Sequence, residues 1–268
     1  MNILAPAKLN LHLQVVDKRP DGYHNLKTAF QLIDLYDELE FKLQDEEIEI
    51  EETNVEIENN LVLLAADALK KASNINKGVK IKLTKNIPLQ KGLGGGSSDA
   101  AATLLALNSL WSANLSIDEL MSIGLDLGSD IPFFLYGKNA WAEGRGEKMD
   151  SLILPKSWFL LIFPEKNIST KEAFEEIQPD DRNHINKKDF LQGKAFNTFE
   201  DWARQKYSEI NDLFNLLKTI GKPRLSGTGS TIFISFSNKE DALSAKEKFS
   251  SSVLVNSLDD SPLRQLIE

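Results

Sequence analysis

The chain has 268 residues, of which 41% are hydrophobic and 26% charged, with a formal net charge of −9 and no cysteine. The lack of cysteine excludes disulfides, thiolate metal ligands and cysteine nucleophiles, and the negative charge argues against nucleic acid or an anionic membrane as a partner. No apolar run approaches the ~20 residues that cross a bilayer and the N-terminus leads directly into a strand pattern, so we expect a cytoplasmic enzyme or binding protein.

The first predicted element is a strand, because apolar residues alternate from Ile3 to Val15 and this period is typical of a strand with one buried face. The opposite, polar face is shared by Lys8, Asn10, His12 and Gln14. The turn signal Pro20-Asp21-Gly22 follows. Tyr23 and His24 come directly after it, and we expect both to project from a loop.

Shorter elements are predicted next. Strand patterns with alternating glutamates recur at 39–43, 47–51 and 54–58. A helix is predicted over 60–71, with its apolar residues at Leu61, Leu64, Ala65 and Ala68. A further strand follows, with Val79, Ile81 and Leu83 facing inward.

A glycine-rich loop begins at Pro88 and carries four glycines in positions 92–96. Glycine leaves the backbone amides unobstructed, and Ser97-Ser98-Asp99 stands where a helix begins, with free N–H groups at the positive end of its dipole. The combination is typical of a phosphate site. It is neither a Walker loop nor the dinucleotide fingerprint, since Lys-Ser/Thr is absent and Ser97 replaces the last glycine. A plain connection with an ordinary N-cap is the alternative.

The helix after this loop buries a stripe at helical spacing: Ala100, Leu104, Leu107 and Trp111. The next helix begins at Ser116, with Glu119 in capping-box spacing. Asp130 lies in a turn before a proline that discourages helix. A hairpin is predicted around Gly137, followed by a glycine-punctuated loop over 143–147.

From residue 158 the pattern restarts, and we predict two domains, 1–150 and 151–268. The second contains predicted strands at 158–163, 231–236 and 253–255, helices at 170–177, 199–220 and 239–249, and a polar connection at 180–193. This order predicts a small α+β layer. The second domain also contains a glycine segment, Ser226-Gly227-Thr228-Gly229-Ser230. Its glycines could serve either a tight turn or the close approach of a ligand to the backbone, and the sequence favours neither.

The chain resembles the GHMP kinase superfamily in Pro6-Ala7-Lys8-Leu9-Asn10-Leu11, in the glycine loop and in the segment 226–230, and Gly128-Ser129-Asp130-Ile131-Pro132-Phe133-Phe134 makes the match more specific. Asp21-Gly22-Tyr23-His24 is similar to one branch, whose substrate is a methylerythritol carrying cytidine diphosphate, in non-mevalonate isoprenoid biosynthesis. The resemblance implies an α+β, two-domain GHMP-kinase fold, with a ribosomal-protein-S5-domain-2-like N-terminal domain and a ferredoxin-like C-terminal domain. It implies transfer of the ATP γ-phosphate to an alcohol.

The resemblance also implies roles for individual residues. Lys8 and Asp130 would be catalytic, with Asp130 accepting the alcohol proton and Lys8 stabilising the carboxylate and the attacking oxygen. A solvent-facing lysine and a turn aspartate are the ordinary interpretations without it. ATP would bind at Pro88, Gly92, Leu93, Gly94, Gly95, Gly96, Ser97 and Ser98, with the adenine near Asn60 and Lys85.

The substrate would contact Asn10, Tyr23, His24, Thr170 and Phe174. Tyr23 would stack on the cytosine, His24 would read its edge, and Phe174 would add a second ring from the other domain unless it is core. Mg²⁺ is expected with ATP, but its ligands stay open, since of the usual serine and glutamate only Ser98 can be named.

Other functions stay open at this point. They are a sister kinase acting on homoserine or mevalonate, a decarboxylase on the same fold, and a catalytically inactive nucleotide-binding regulator. The presence of both Lys8 and Asp130 speaks against the last. A monomer or a weak homodimer is expected.

Overall fold

The computed structural model describes residues 1–179 and 184–267, and its first half is built on a six-stranded sheet. The strands are β1 (Asn2–Lys18), β2 (His24–Gln44), β3 (Ile48–Glu52), β4 (Gly78–Thr84), β5 (Ala140–Gly144) and β6 (Lys148–Ser151). Their order is β3-β4-β2-β5-β6, with β1 antiparallel to β2. Only β3 and β4 pair in parallel among these described strands.

Four helices cover this sheet: α1 (Leu61–Ser73), α2 (Gly95–Leu110), α3 (Ile117–Leu127) and α4 (Ile131–Tyr136). Helix α2 is buried on all sides from Ser98 to Leu107, because small alanines let the sheet and the neighbouring helices approach it closely. The predicted stripe and the inward face of β4 are confirmed as buried. The capping box of Ser116 and Glu119 is confirmed at the start of α3.

The second half carries a four-stranded sheet in the order β10-β7-β9-β8. Its elements are β7 (Trp158–Ile162), α5 (Thr170–Glu176), α6 (Lys187–Leu191), α7 (Thr198–Lys206), α8 (Ser208–Leu217), β8 (Arg224–Leu225), β9 (Ile232–Phe236), α9 (Lys239–Lys248) and β10 (Val253–Asn256). A 3₁₀ turn, Pro262–Leu266, then returns to the first half, where Leu263 joins the core. The division near residue 150 stays a prediction.

The alternation in β1 predicts only one buried face, but the polar face is buried as well. Its four polar residues are at most 3% exposed. The second half covers two of them, since the Phe196 N–H donates to His12 Nδ1 and the Ile185 N–H donates to Gln14 Oε1. Lys8 instead lies against Asn10 and Asp130 of the first half. From Ala5 to Val15 both faces of β1 are therefore buried or half-buried, and polar groups there must face partners or a cavity.

Several predicted elements differ from the structure. Strand β2 begins at His24, far before residue 39, and β8 was not predicted. No strand forms at 54–58, because the Glu52 carboxylate accepts the N–H of Ile57 and turns the chain. Residues 131–136 form α4 and no hairpin strand, since Pro132 fits a first helical turn and Gly137 ends it in the left-handed region.

Differences also occur in the helices. The helix predicted over 199–220 is two helices, because Tyr207 adopts an extended conformation between them. Helix α6 lies within the predicted polar connection, of which residues 180–183 lie outside the described residues. Leu64, predicted on the apolar side of α1, is 43% exposed. No described helix is long and apolar enough to span a bilayer.

Candidate active site

A cavity of about 730 Å³ lies between the two halves. Its walls come from β1, the segment 85–97, the turn before α4, the start of β2 and helix α5. Residues predicted to bind nucleotide and residues predicted to bind substrate thus line one space, of a size that suits small-molecule ligands.

Lys8 and Asp130 meet at the wall of this cavity. Lys8 extends from β1, and Asp130 stands immediately before α4. The Lys8 Nζ lies 3.3 Å from Asp130 Oδ2, and the Asp130 side chain is 34% exposed. The sequence predicted neither their distance nor their contact. A carboxylate that reaches the cavity beside a buried ammonium can accept a proton and have its charge offset locally.

A chain of polar contacts positions the Lys8 ammonium. Lys8 Nζ donates to Asn10 Oδ1 at 2.5 Å, and Asn10 Nδ2 donates to Thr28 Oγ1 at 2.9 Å. The Thr28 hydroxyl in turn donates to the His12 carbonyl at 2.7 Å. This chain fixes which way the Asn10 amide faces, so its oxygen points to Lys8.

The glycine loop, residues 88–96, reaches the cavity where α2 begins. Helix α2 starts at Gly95, two residues before the predicted start, with Gly94 as its N-cap at φ 72°. No side chain caps this end, although Gly95, Gly96 and Ser97 line the cavity. Backbone N–H groups at a helix start without a capping side chain suit an anionic ligand.

The second glycine segment, residues 226–230, packs directly on the glycine loop. A β carbon on Gly92 would stand 2.2 Å from the Ser226 carbonyl oxygen, and Ser226 Oγ donates to the Gly92 carbonyl at 3.0 Å. Gly227 and Thr228 also line the cavity. The segment is therefore both a tight turn and part of the cavity wall.

Aromatic residues form the other end of the cavity. Tyr23 is 49% exposed on the loop before β2, whereas His24 is buried as the first residue of β2, which corrects the expectation that both project from a loop. The Phe174 ring on α5 lies 5.4 Å from the His24 ring and 4.9 Å from the Phe199 ring. Phe174 thus packs on the core and also lines the cavity.

Two further observations concern this aromatic end. Burial, and next the charge of Lys18, lower the pKa of His24, so its imidazole is neutral at pH 7 and can both donate and accept a hydrogen bond. Thr170, also predicted for the substrate, lines the cavity with its Oγ1 3.3 Å from Thr228 Oγ1.

Three predicted nucleotide residues are not simply presented to the cavity: two bond to other protein groups and one is fully buried. Asn60 does not line the cavity; its side chain accepts the N–H of Val62 and donates to Glu52. Lys85 borders the cavity, but its ammonium donates to Asp37 and Asp99. Ser98 is fully buried and is absent from the lining.

One residue that the sequence analysis missed is Arg145. It lies between Gly144 and Gly146 in the turn from β5 to β6, and its guanidinium carbon is 3.7 Å from the Tyr23 ring centroid. Arg145 also lines the cavity. A glycine-punctuated loop was its only sequence signal, and nothing in that signal indicated a partner on another turn.

The sequence of this chain is similar to those of known proteins. The family described as GHMP kinases N terminal domain matches residues 60–138. A 4-diphosphocytidyl-2-C-methyl-D-erythritol kinase of Nitrosococcus oceani is 43% identical over 248 residues, covering 90% of this chain and 88% of the relative.

Solved structures of kinases are also similar to this chain. A crystal structure of 4-(cytidine 5'-diphospho)-2C-methyl-D-erythritol kinase superposes with a TM-score of 0.84 at 31% identity, covering 96% of this chain and 99% of the other. A mevalonate kinase structure, with a TM-score of 0.68 at 17% identity, covers 97% of this chain and 99% of its own, and shares the fold alone. These likenesses confirm the two-domain α+β fold that the resemblance implied.

Proposed function

The chain belongs to the 4-diphosphocytidyl-2-C-methyl-D-erythritol kinase family, and we propose that it transfers the γ-phosphoryl group of ATP to the 2-hydroxyl of 4-diphosphocytidyl-2-C-methyl-D-erythritol. It is an ATP-dependent kinase. The observation that carries the proposal is the Lys8–Asp130 ion pair, which stands at the wall of a cavity with a glycine loop on one side and aromatic rings on another.

In the proposed mechanism, ATP binds with its phosphates on the glycine loop and the start of α2. The acceptor hydroxyl lies against Asp130, which takes its proton as the oxygen attacks the γ-phosphorus. The new O–P bond forms as the bond to the β–γ bridging oxygen breaks, and ADP leaves with that electron pair. Lys8 offsets the negative charge that develops on the attacking oxygen, and Asn10 holds Lys8 in place.

The substrate's cytidine end is proposed to occupy the aromatic end of the cavity. Arg145 covers one face of the Tyr23 ring, which leaves the other face for the base. The neutral His24 would bond to the base edge, and Phe174 would bring a ring from the second half. The substrate would thus contact residues of both halves, Thr170 among them.

Mg²⁺ is proposed to enter on the ATP phosphates, whose charge it neutralises. The described residues contain no group of three or more His, Cys, Asp or Glu side chains that could hold a metal. Ser98, the one residue that the sequence analysis could name while leaving the ligands open, does not line the cavity. Within residues 1–179 and 184–267, the side chains therefore do not build a protein-held metal site, and we assign no ligand.

Assays of ATP consumption test the proposal directly. Purified protein is supplied with ATP and, in parallel, with 4-diphosphocytidyl-2-C-methyl-D-erythritol, homoserine or mevalonate, and the products are identified by mass spectrometry. We expect phosphorylation of the first substrate alone. Turnover of homoserine or mevalonate instead would favour a sister kinase, and ATP binding without turnover of any alcohol would favour a regulator.

Tyr23→Ala is expected to weaken binding of cytidine diphosphate by roughly ten- to a hundredfold. Stacking on one aromatic ring is worth about 1–3 kcal/mol, and 1.4 kcal/mol is about a factor of ten. Calorimetric titration with cytidine diphosphate measures the change. His24→Ala should act in the same direction by loss of a hydrogen bond to the base.

Two controls accompany these variants. Tyr23→Phe keeps the ring and should keep most of the affinity, and an ATP analogue should bind all variants alike because its base is expected elsewhere. If Tyr23→Ala and His24→Ala hold cytidine diphosphate as tightly as the parent, the aromatic end is not a cytidine site.

We further propose that the chain acts in the cytoplasm, where its co-substrate ATP is available, as a monomer or a weak homodimer.

A further inference from the structure

Three charged side chains beneath the glycine loop take no part in the mechanism above. Asp37 lies on β2, Lys85 follows β4, and Asp99 lies in α2; we call them the buried triad. All three are buried, with side-chain exposures of 0%, 3% and 2%. Lys85 Nζ donates to Asp37 Oδ2 and, at 2.6 Å, to Asp99 Oδ2.

The charges of the buried triad do not balance. Two carboxylates share one ammonium, so an excess negative charge would be buried if both were ionised, and such a charge is costly. The Asp37 carboxylate is further stabilised, since its Oδ1 accepts the N–H groups of Asn86 at 2.6 Å and Ile87 at 2.8 Å. Among the described residues, Asp99 Oδ1 has no hydrogen-bond partner. Asp99 is therefore the carboxyl that most readily holds a proton.

Electrostatics agrees with this assignment. Burial raises the pKa of Asp99 to about 7; Lys85 opposes this rise and Asp37 adds to it. The charged groups that act most strongly on Asp99 are therefore Lys85, which follows β4, and Asp37 on β2.

The buried triad lies directly under the proposed phosphate site. A β carbon on Gly95, the first residue of α2, would stand 3.2 Å from Asp37 Oδ2, and Asp99 follows one turn later. Asn86 and Ile87, which donate to Asp37, lead into the glycine loop. A negative charge at the first residue of α2 is therefore next to Asp37 and only about 6 Å along the helix axis from Asp99.

We propose that nucleotide binding at the glycine loop is linked to uptake of a proton by the buried triad, with Asp99 as the acceptor. This inference rests on the proposed placement of ATP. The phosphates repel the ionised carboxylate, so the nucleotide binds more tightly when a proton from solvent has neutralised Asp99. By linkage, the bound nucleotide favours the protonated form to the same degree.

The pH dependence has a definite sign. Protonated Asp99 is the better binding form, so affinity for nucleotide should fall as pH rises through neutrality. We expect a decrease of roughly three- to tenfold between pH 6 and pH 8.5, as for one charge acting at short range across a partly screened site. His24 and the nucleotide phosphates also titrate, and deprotonation of a bound phosphate would release protons, the opposite of the uptake proposed.

Calorimetry counts these protons. A non-hydrolysable ATP analogue is titrated at pH 7.5 in buffers of different ionisation enthalpy, with the parent, Asp99→Asn and Asp212→Asn. The last makes the same charge change at an exposed position on α8. We expect net uptake in the parent and in Asp212→Asn, and its loss in Asp99→Asn, whose affinity should vary less with pH.

The outcomes separate the two proposals. Equal proton uptake in Asp99→Asn and the parent would overturn this inference, as would no uptake in the parent. Failure of the parent to bind the analogue at all would instead contradict the proposed function. Should Asp99→Asn not fold, uptake by the parent at pH 5.5, 7.5 and 9 decides the matter, because the proposal requires a maximum near the middle value.

The pH dependence of stability tests the protonation of Asp99 in the absence of any ligand. Because folding raises the pKa of Asp99, the folded chain holds more protons than the unfolded chain between about pH 4 and pH 7. The parent's unfolding free energy should therefore fall, relative to that of Asp99→Asn, as pH rises through this range, and level off above it. Parallel curves for the two proteins in urea unfolding would contradict the assignment.

Discussion

Asp130→Asn is expected to lower kcat by about two orders of magnitude or more while ATP affinity stays near that of the parent, because a lost general base affects the chemical step and not nucleotide binding. The asparagine keeps the size of the side chain but cannot accept the acceptor alcohol's proton. Steady-state kinetics with 4-diphosphocytidyl-2-C-methyl-D-erythritol, together with calorimetry of an ATP analogue, measure the two quantities separately.

Lys8 is tested by the same assay. Lys8→Met keeps much of the aliphatic stem but removes the ammonium that lies 3.3 Å from Asp130, and kcat should fall about as far as in Asp130→Asn. Because the two residues form one unit, the double variant should lose little more than either single one. Asp126→Asn, an exposed change on α3, should leave kcat unchanged. Near-normal turnover in either site variant would remove that residue from the mechanism.

Local sequence signals predicted the elements that local chemistry determines. Ser116 and Glu119 form a capping box whatever the helix packs against, because the two residues bond only to each other's backbone and side chain. The glycines leave the start of the next helix without a capping side chain, since they have none and tolerate unusual backbone angles. The position of Lys8 and Asn10 on one side of β1 follows from strand periodicity. These parts of the candidate site were predictable because each depends on residues close in the sequence.

The rest depends on contacts that sequence patterns do not encode. His12 and Gln14 on the polar face of β1 are buried because residues more than 170 positions away pack on them. Similarly, Lys85 reads as a cation near a nucleotide loop, yet two aspartates from β2 and α2 hold its ammonium. Lys85 borders the cavity, so its contact with the nucleotide stays a prediction, but only the fold reveals that its ammonium is also held by two carboxylates.

Gly96→Val is expected to weaken ATP binding by about two orders of magnitude or more while the protein stays folded. A β carbon at this position would meet only Leu61, at 3.6 Å, so the protein itself leaves room for a side chain. Because Gly96 lines the cavity at the first turn of α2, that room is where phosphate oxygens must approach the backbone amides. Calorimetry with an ATP analogue measures the loss.

Substitution of the neighbouring glycines would test phosphate binding less cleanly than substitution of Gly96. A β carbon on Gly95 would stand 3.0 Å from Ile87 and 3.2 Å from Asp37, and one on Gly92 only 2.2 Å from a backbone oxygen, so substitution there would disturb folding as well as binding. Gly96→Ala, with a smaller side chain, should lose less affinity than Gly96→Val, and both should melt near the parent's temperature. Undiminished ATP affinity in a folded Gly96→Val protein would reduce the loop to a connection between β4 and α2.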